Sequence, residues 1–215
     1  MLIAHRINTL DQIKQLPLDT PIEFDVRESD YECTVRHDAF SPGESLISLL
    51  PYLKTRLCIV NVKCEGLEHY LLKLFKLYSI ENFFFLDSSI PMIHKLTSCG
   101  ESRIAVRWSE YEEIESVKVW AGKVQWVWVD CFTKYPLTKQ TSEELQMLGF
   151  KLCLVSPELH GRNTDIELYC EDLLKTGIRP DAICTKIYNF HRWARLYSFD
   201  VSPSQMSVTL LTKHP

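Results

Sequence analysis

Short apolar runs of strand length alternate with amphipathic stretches of helix length along almost the whole chain, and this repetition constrains the fold more than any other feature. Eight such runs can be read: "LIAHR", "PIEFDV", "LCIVNV", "NFFFLD", "RIAVRW", "VQWVWVD", "KLCLVS" and "AICTK". Between them lie "GESLISLLPYLK", "GLEHYLLKLFKLYS", "SIPMIHKLTSCG", "SEELQMLGF" and "TDIELYCEDLLKTG", several with apolar residues three and four apart. Such alternation is the signature of βα units and a parallel sheet. Eight units in a row predict an α/β fold of the (β/α)8 TIM-barrel type, with residues 1–215 as a single domain. Because 215 residues is small for that architecture, the barrel should be compact and short-looped. "TSEEL" and "NTDIE" carry helix-start chemistry, and Gly100, Gly149 and Gly177 fall where helices should stop. The segment after Ile187 supplies a last helix and a tail with no assignment.

Bulk properties narrow the function classes. Hydrophobic residues at 46% and charged residues at 24% match an ordinary globular chain. A formal net charge of -4 argues against nucleic acid as partner, since binders that work by bulk electrostatics are basic along one face. Nowhere do about 18 apolar residues run together, so no membrane insertion is expected. The start "MLIAHRINTLDQ" lacks the basic and apolar regions of a signal peptide. Of the eight cysteines, Cys58, Cys153 and Cys184 sit in strand-like runs where a thiol packs as a small hydrophobe, and no CxxC or Cys/His zinc spacing occurs. These features predict a reducing, cytoplasmic setting.

A barrel builds its site at the C-terminal ends of its strands, and chemistry-bearing residues collect there. His5 and Arg6 end the first run, Glu23 and Asp25 lie in the second, Asn61 and Lys63 end the third, and Asp87, Arg107 and Asp130 end the next three. Residues two apart on a strand share a face, so Glu23 with Asp25, and Asn61 with Lys63, should point the same way. Two carboxylates on one face suit a hard cation such as Mg²⁺ or Ca²⁺; alternatively one of them is the ion-pair partner of Arg6 or Arg27. His5 and His37 can act as acid and base, because imidazole titrates near pH ~6.5. Arg6 and Lys63 offer fixed positive charge to phosphate. His69 and His94 fall in helical stretches and read as surface residues, while His160 and His191 follow late strands with nothing nearby to strengthen them. Trp126 and Trp128 share one strand face and read as core; Trp108, beside Arg107, is a candidate wall of a substrate pocket. Gathered at strand ends, these residues point to a phosphoryl-transfer or phosphodiester site, and the short loops favour a small soluble phosphodiester over intact lipid.

The order "AHR", "NT", "EFDV", "VRHD", "NVK", "GFKLCLVS" and "GIRPDAICT" resembles the glycerophosphodiester phosphodiesterase family, from His5 to about Thr185. The resemblance implies a (β/α)8 barrel that cleaves a glycerophosphodiester to glycerol phosphate and an alcohol. It makes His5 and His37 the acid/base pair, Arg6 and Lys63 the phosphate contacts, and Glu23, Asp25 and Asn61 the ligands of a divalent metal. The chain departs from the family pattern at several points. Ile7 stands where the family has glycine, "INT" lacks the family's glutamate, and Asn61 replaces an acid on the third strand. Val155 and Lys186 replace a tryptophan and an acid. With one negative charge fewer, metal should be held more weakly. Two other readings follow from these departures. One is a catalytically silent barrel that binds a phosphorylated ligand or a protein partner. The other is a metal-independent reaction, as in the related phosphatidylinositol-cleaving phospholipases, with Arg107, Lys63 or Lys186 supplying the charge.

Overall fold

A computed structural model describes residues 1–30 and 32–196, and the tail left unassigned above lies for the most part outside the described residues. The fold parts into two compact units, one of Ala4–Ile104 and one of Met1–Ile3 with the chain from Ala105 onward. All eight expected strands form, each within a residue or two of its apolar run except the second, which runs longer. Among the described residues no helix is long and apolar enough to cross a membrane.

Strand β1 (Leu2–Ala4) ends at Ala4, the first residue of the N-terminal unit, whose elements then run α1 (Leu10–Lys14), β2 (Ile22–Ser29), β3 (Glu32–Val35), β4 (Glu44–Ser45), α2 (Leu46–Leu49), β5 (Cys58–Val62), α3 (Glu68–Leu77), β6 (Phe83–Leu86) and α4 (Ile90–Ser98). Strands β1, β2, β5 and β6 pair parallel in that order. Their near-continuous apolar character fits strands covered on both faces: every residue of β5 and β6 is buried. Helix α3 turns Glu68, Leu71 and Phe75 inward, a three- and four-residue spacing that makes one stripe. Ser89 caps α4 by accepting from the Met92 amide, and Pro91 sits in the first turn, where a missing N–H costs nothing.

One part of this unit departs from a plain run of βα repeats. Strand β2 does not stop at Val26 but continues to Ser29, and β3 returns antiparallel beside it, with Val26 opposite Val35. The short β4 pairs antiparallel with β3 in turn. The end of β2 and the whole of β3 thus form an antiparallel arm where a βα loop was expected, because their alternating polar residues need only one covered face.

The C-terminal unit contains β7 (Ala105–Trp108), α5 (Glu115–Lys118), β8 (Trp126–Val129), α6 (Lys139–Met147), β9 (Lys151–Val155), α7 (Ile166–Thr176), β10 (Ala182–Thr185) and α8 (Phe190–Leu196). Strands β7 to β10 pair parallel in chain order, and the Met1 carbonyl accepts from the Ile183 amide beside β10. Trp126, Trp128, Cys153 and Cys184 are buried, as their strand-like runs suggested. Helix α6 begins three residues earlier than "TSEEL" indicates: Thr138 is its cap, and Thr141 closes a reciprocal capping box from inside the first turn. Gly177 ends α7 at φ +72°, a conformation that favours glycine.

Candidate active site

The sequence-predicted residues of the N-terminal unit converge on Glu23 and Asp25, each only 1% exposed although charged. Both lie on the same face of β2, and the parallel register sets Asp25 beside Asn61 of β5. Buried carboxylates require partners, and these have several. Glu23 Oε2 accepts from the Arg6 amide at 2.7 Å, and Oε1 accepts from Asn61 Nδ2 at 3.0 Å. Asp25 Oδ2 accepts from Asn8 Nδ2 at 2.8 Å, while the Asp25 amide donates to Asn8 Oδ1 at 2.9 Å, so Asn8 clasps Asp25 from both sides. Thr9, next in sequence, caps α1 and fixes the loop that carries Asn8.

Cations and an imidazole surround the pair. Arg6 Nε lies 3.9 Å from Asp25 Oδ2, Lys63 Nζ lies 3.7 Å from Asp25 Oδ1, and His5 Nε2 lies 3.7 Å from Glu23 Oε2. Lys63 also donates to Asp87 Oδ2 at 2.9 Å, which ties the end of β5 to the end of β6. Arg6 and Asp87 both adopt positive φ, +57° and +62°. Non-glycine residues hold that conformation at a cost, and such residues concentrate at functional sites. In Arg6 the turn aims the backbone N–H at Glu23.

Burial, then the neighbouring Asp25 charge, push the Glu23 carboxyl up to about 7, against the opposing pull of the Asn61 amide, the Arg6 amide and Lys63. Near neutral pH this acid is poised between its protonated and ionised forms.

His37 follows the antiparallel arm and not the end of a parallel strand. The Arg36 amide donates to the Asp25 carbonyl at 3.1 Å, and Arg27 Nε donates to the His37 carbonyl at 2.9 Å, so the arm is pinned beside β2. His37 Nδ1 and Asp38 Oδ1 are 2.7 Å apart. That bond, reinforced by the charges of His37, Arg6 and Arg27, holds the Asp38 carboxyl below the usual range. Arg27, the other candidate partner for the buried acids, spends its donors on the His37 and Lys63 carbonyls.

Among the described residues, no group of three or more His, Cys, Asp or Glu side chains is arranged to hold a metal ion. A cation here would need the Asn61 amide oxygen. Two buried oxygens accept no hydrogen bond, Asp25 Oδ1 and Asn61 Oδ1, and they sit on residues paired in register. Carboxylate and amide oxygens are the donors that Mg²⁺ and Ca²⁺ prefer, so the residues present fit such an ion.

Arg107 and Trp108 belong to the C-terminal unit. Arg107 Nη1 pairs with Asp130, and Trp108 is 4% exposed with its indole N–H donating to the Glu112 carbonyl at 3.2 Å. His160, which the sequence left unsupported, is 2.6 Å from Asp130. No spacing could have revealed that pairing, because it joins the end of β8 to a turn after β9, 30 residues on.

No family model matches the chain, and no curated protein matches it. Among solved structures it is similar to the crystal structure of a glycerophosphodiester phosphodiesterase from Agrobacterium tumefaciens, at 15% identity and a TM-score of 0.57, covering 86% of this chain and 96% of that one. At this identity the likeness is one of fold: a mixed α/β architecture built on parallel strands.

Proposed function

We propose that the chain is a phosphodiester hydrolase, and that the cluster around Glu23 and Asp25 cleaves a glycerophosphodiester to glycerol phosphate and an alcohol. The observation that carries the reading is the convergence of His5 and Arg6, just past β1, and of Lys63, just past β5, on two buried carboxylates of β2. The likeness in fold to a glycerophosphodiester phosphodiesterase supports it. The architecture that goes with this proposal is the closed, single-domain (β/α)8 barrel, and the setting is cytoplasmic.

Arg6 and Lys63 bind the phosphate oxygens, Arg6 through a planar fork suited to two parallel bonds. One histidine takes a proton from the attacking water, and the other gives a proton to the alkoxide that leaves phosphorus. Asp38 orients His37 by accepting from Nδ1, which leaves Nε2 for the transfer. Glu23, Asp25 and Asn61 would hold a divalent metal, Mg²⁺ or Ca²⁺, whose positive charge offsets charge developing on the phosphate oxygens.

A panel of glycerophosphodiesters followed by phosphorus NMR, with Mg²⁺, with Ca²⁺ and with chelator, tests this. Turnover that requires metal and is lost in both His5→Ala and His37→Ala is the expected result. Turnover indifferent to chelator would assign the charge to Lys63 instead. No turnover from any diester, with both variants folded, would move the site to the binding role that the Asn61 amide, already bonded to Glu23, favours.

A further inference from the structure

The C-terminal unit holds a polar cluster that the proposed reaction does not use. Asp130, at the end of β8, is 2% exposed, and its two oxygens are fully engaged. One pairs with Arg107 Nη1, and the other accepts from the Cys131 amide at 3.0 Å and lies 2.6 Å from His160 Nε2. An ionised carboxylate only accepts, so Nε2 of His160 carries the hydrogen and Nδ1 carries the lone pair. Nδ1 makes no hydrogen bond among the described residues, and the His160 side chain is 23% exposed. The imidazole also packs against the Phe132 ring, with centroids 4.8 Å apart. Phe132 in turn meets Tyr111 at 5.9 Å, and both aromatics are exposed.

The charges facing His160 decide what this cluster can bind. Asp130, Arg107, Arg162, Glu110 and Glu158 all act on the ring. Burial, then Arg162 and Arg107, hold the imidazole below its ordinary value, against Glu110 and Glu158. A neutral ring offers an acceptor, which an anion cannot use. Arg107 is committed to Asp130, and Arg162 to Asp165, Tyr169 and the Cys131 carbonyl. An ammonium ligand would meet two guanidinium groups. What remains is a neutral donor, a hydroxyl, on a body with an apolar face to lie against exposed aromatic rings.

We propose that Asp130 and Arg107 fix His160 as a hydrogen-bond acceptor in a binding site for a polyhydroxylated ligand of the sugar or cyclitol class, with Phe132 as its stacking platform. Asp130 acts as the positioning residue, and His160 as the contact.

Nitrogen-15 NMR of the histidine rings in the full chain tests the proposal directly. At pH 7, His160 is expected to show a protonated Nε2 and an unprotonated Nδ1. Titration with glucose and with myo-inositol should shift Nδ1 together with the Phe132 ring signals. His160→Gln, a change at a partly exposed position in a turn, should weaken that binding about three- to tenfold, the value of one neutral hydrogen bond. Asp130→Asn should abolish the fixed tautomer. An imidazolium at pH 7, the opposite tautomer, or signals that neither polyol moves would each overturn the assignment.

Discussion

Replacing Glu23 by Gln should stabilise the protein, and the gain should depend on pH in a way set by the geometry. The Glu23 carboxyl lies at about 7 in the folded chain against an ordinary value of 4.5. Because the folded value is the higher one, the folded state keeps a proton that the unfolded chain releases between those limits. The favourable contribution is complete below pH 4.5 and is lost as pH rises through about 7. The interval corresponds to roughly 3 kcal/mol, since each pH unit of displacement is worth about 1.4 kcal/mol. Glutamine has no charge to bury and nearly the same shape. Its oxygen can accept from the Arg6 amide, and Asn61, whose Oδ1 is unpartnered, can turn its amide over to accept from the new NH₂. The variant should therefore unfold like the parent at pH 4.5 and exceed it by about 3 kcal/mol above pH 7, or roughly 6–12 °C in Tm for a chain of this size. Urea and thermal unfolding between pH 4.5 and 8.5, with chelator present so that no cation holds the ionised acid, give the comparison. A difference that stays constant across the range would refute the reasoning, because it would mean that Glu23 carries the same charge at both ends.

Other substitutions probe the parts separately. Asn61→Asp places a third carboxylate against two buried ones; in chelator its Tm should fall, and Mg²⁺ or Ca²⁺ should raise it by more than they raise the parent, as differential scanning fluorimetry would show. Equal metal shifts in both proteins would remove Asn61 from the ligand set. Gly177→Ala should cost about 1 kcal/mol in urea unfolding, all of it from the positive φ, since an added Cβ would touch nothing within 4 Å. Trp193→Phe should cost about 1–3 kcal/mol, because the fully buried indole N–H donates to Ser156 Oγ at 2.8 Å and the hydroxyl would be left without that donor; a neutral result would show that Ser156 is satisfied by Glu158 alone.

The strands were legible because each is an apolar run bounded by turn residues, and the strand-end residues were legible because alternate positions share a face. Glu23 with Asp25 is the clearest case, two positions apart and both buried on the same side. Elements too short for periodicity were not legible: α1 has five residues and α5 four. The antiparallel arm was hidden for another reason. "RESDYECTVR" is mostly polar because only part of it is covered, so its burial alternates, with Cys33 and Val35 inside and Glu32 outside. His37 was singled out together with Asp38, but the antiparallel arm that precedes it was not foreseen. Asp130 with His160 depends on tertiary placement alone.

The two carboxylate centres differ in what their oxygens have left to give, and this difference separates their proposed roles. Asp130 has a guanidinium, an imidazole N–H and a backbone amide on its two oxygens, all within its own unit. A carboxylate so supplied has no reason to seek a cation; it holds other side chains in place. Around Glu23 and Asp25 the donors run out first. Lys63 approaches Asp25 Oδ1 only to 3.7 Å and is drawn closer to Asp87, at 2.9 Å, while Asn61 gives its NH₂ to Glu23 and turns a bare oxygen to the buried site. Each buried acceptor without a donor costs about 1–3 kcal/mol, so two of them on neighbouring strands form a local deficit that one oxygen-seeking cation would relieve at once. The proposal of a metal rests on that deficit more than on the number of acids. It follows that the loss of one acid to Asn61 should weaken the ion's hold without closing its position.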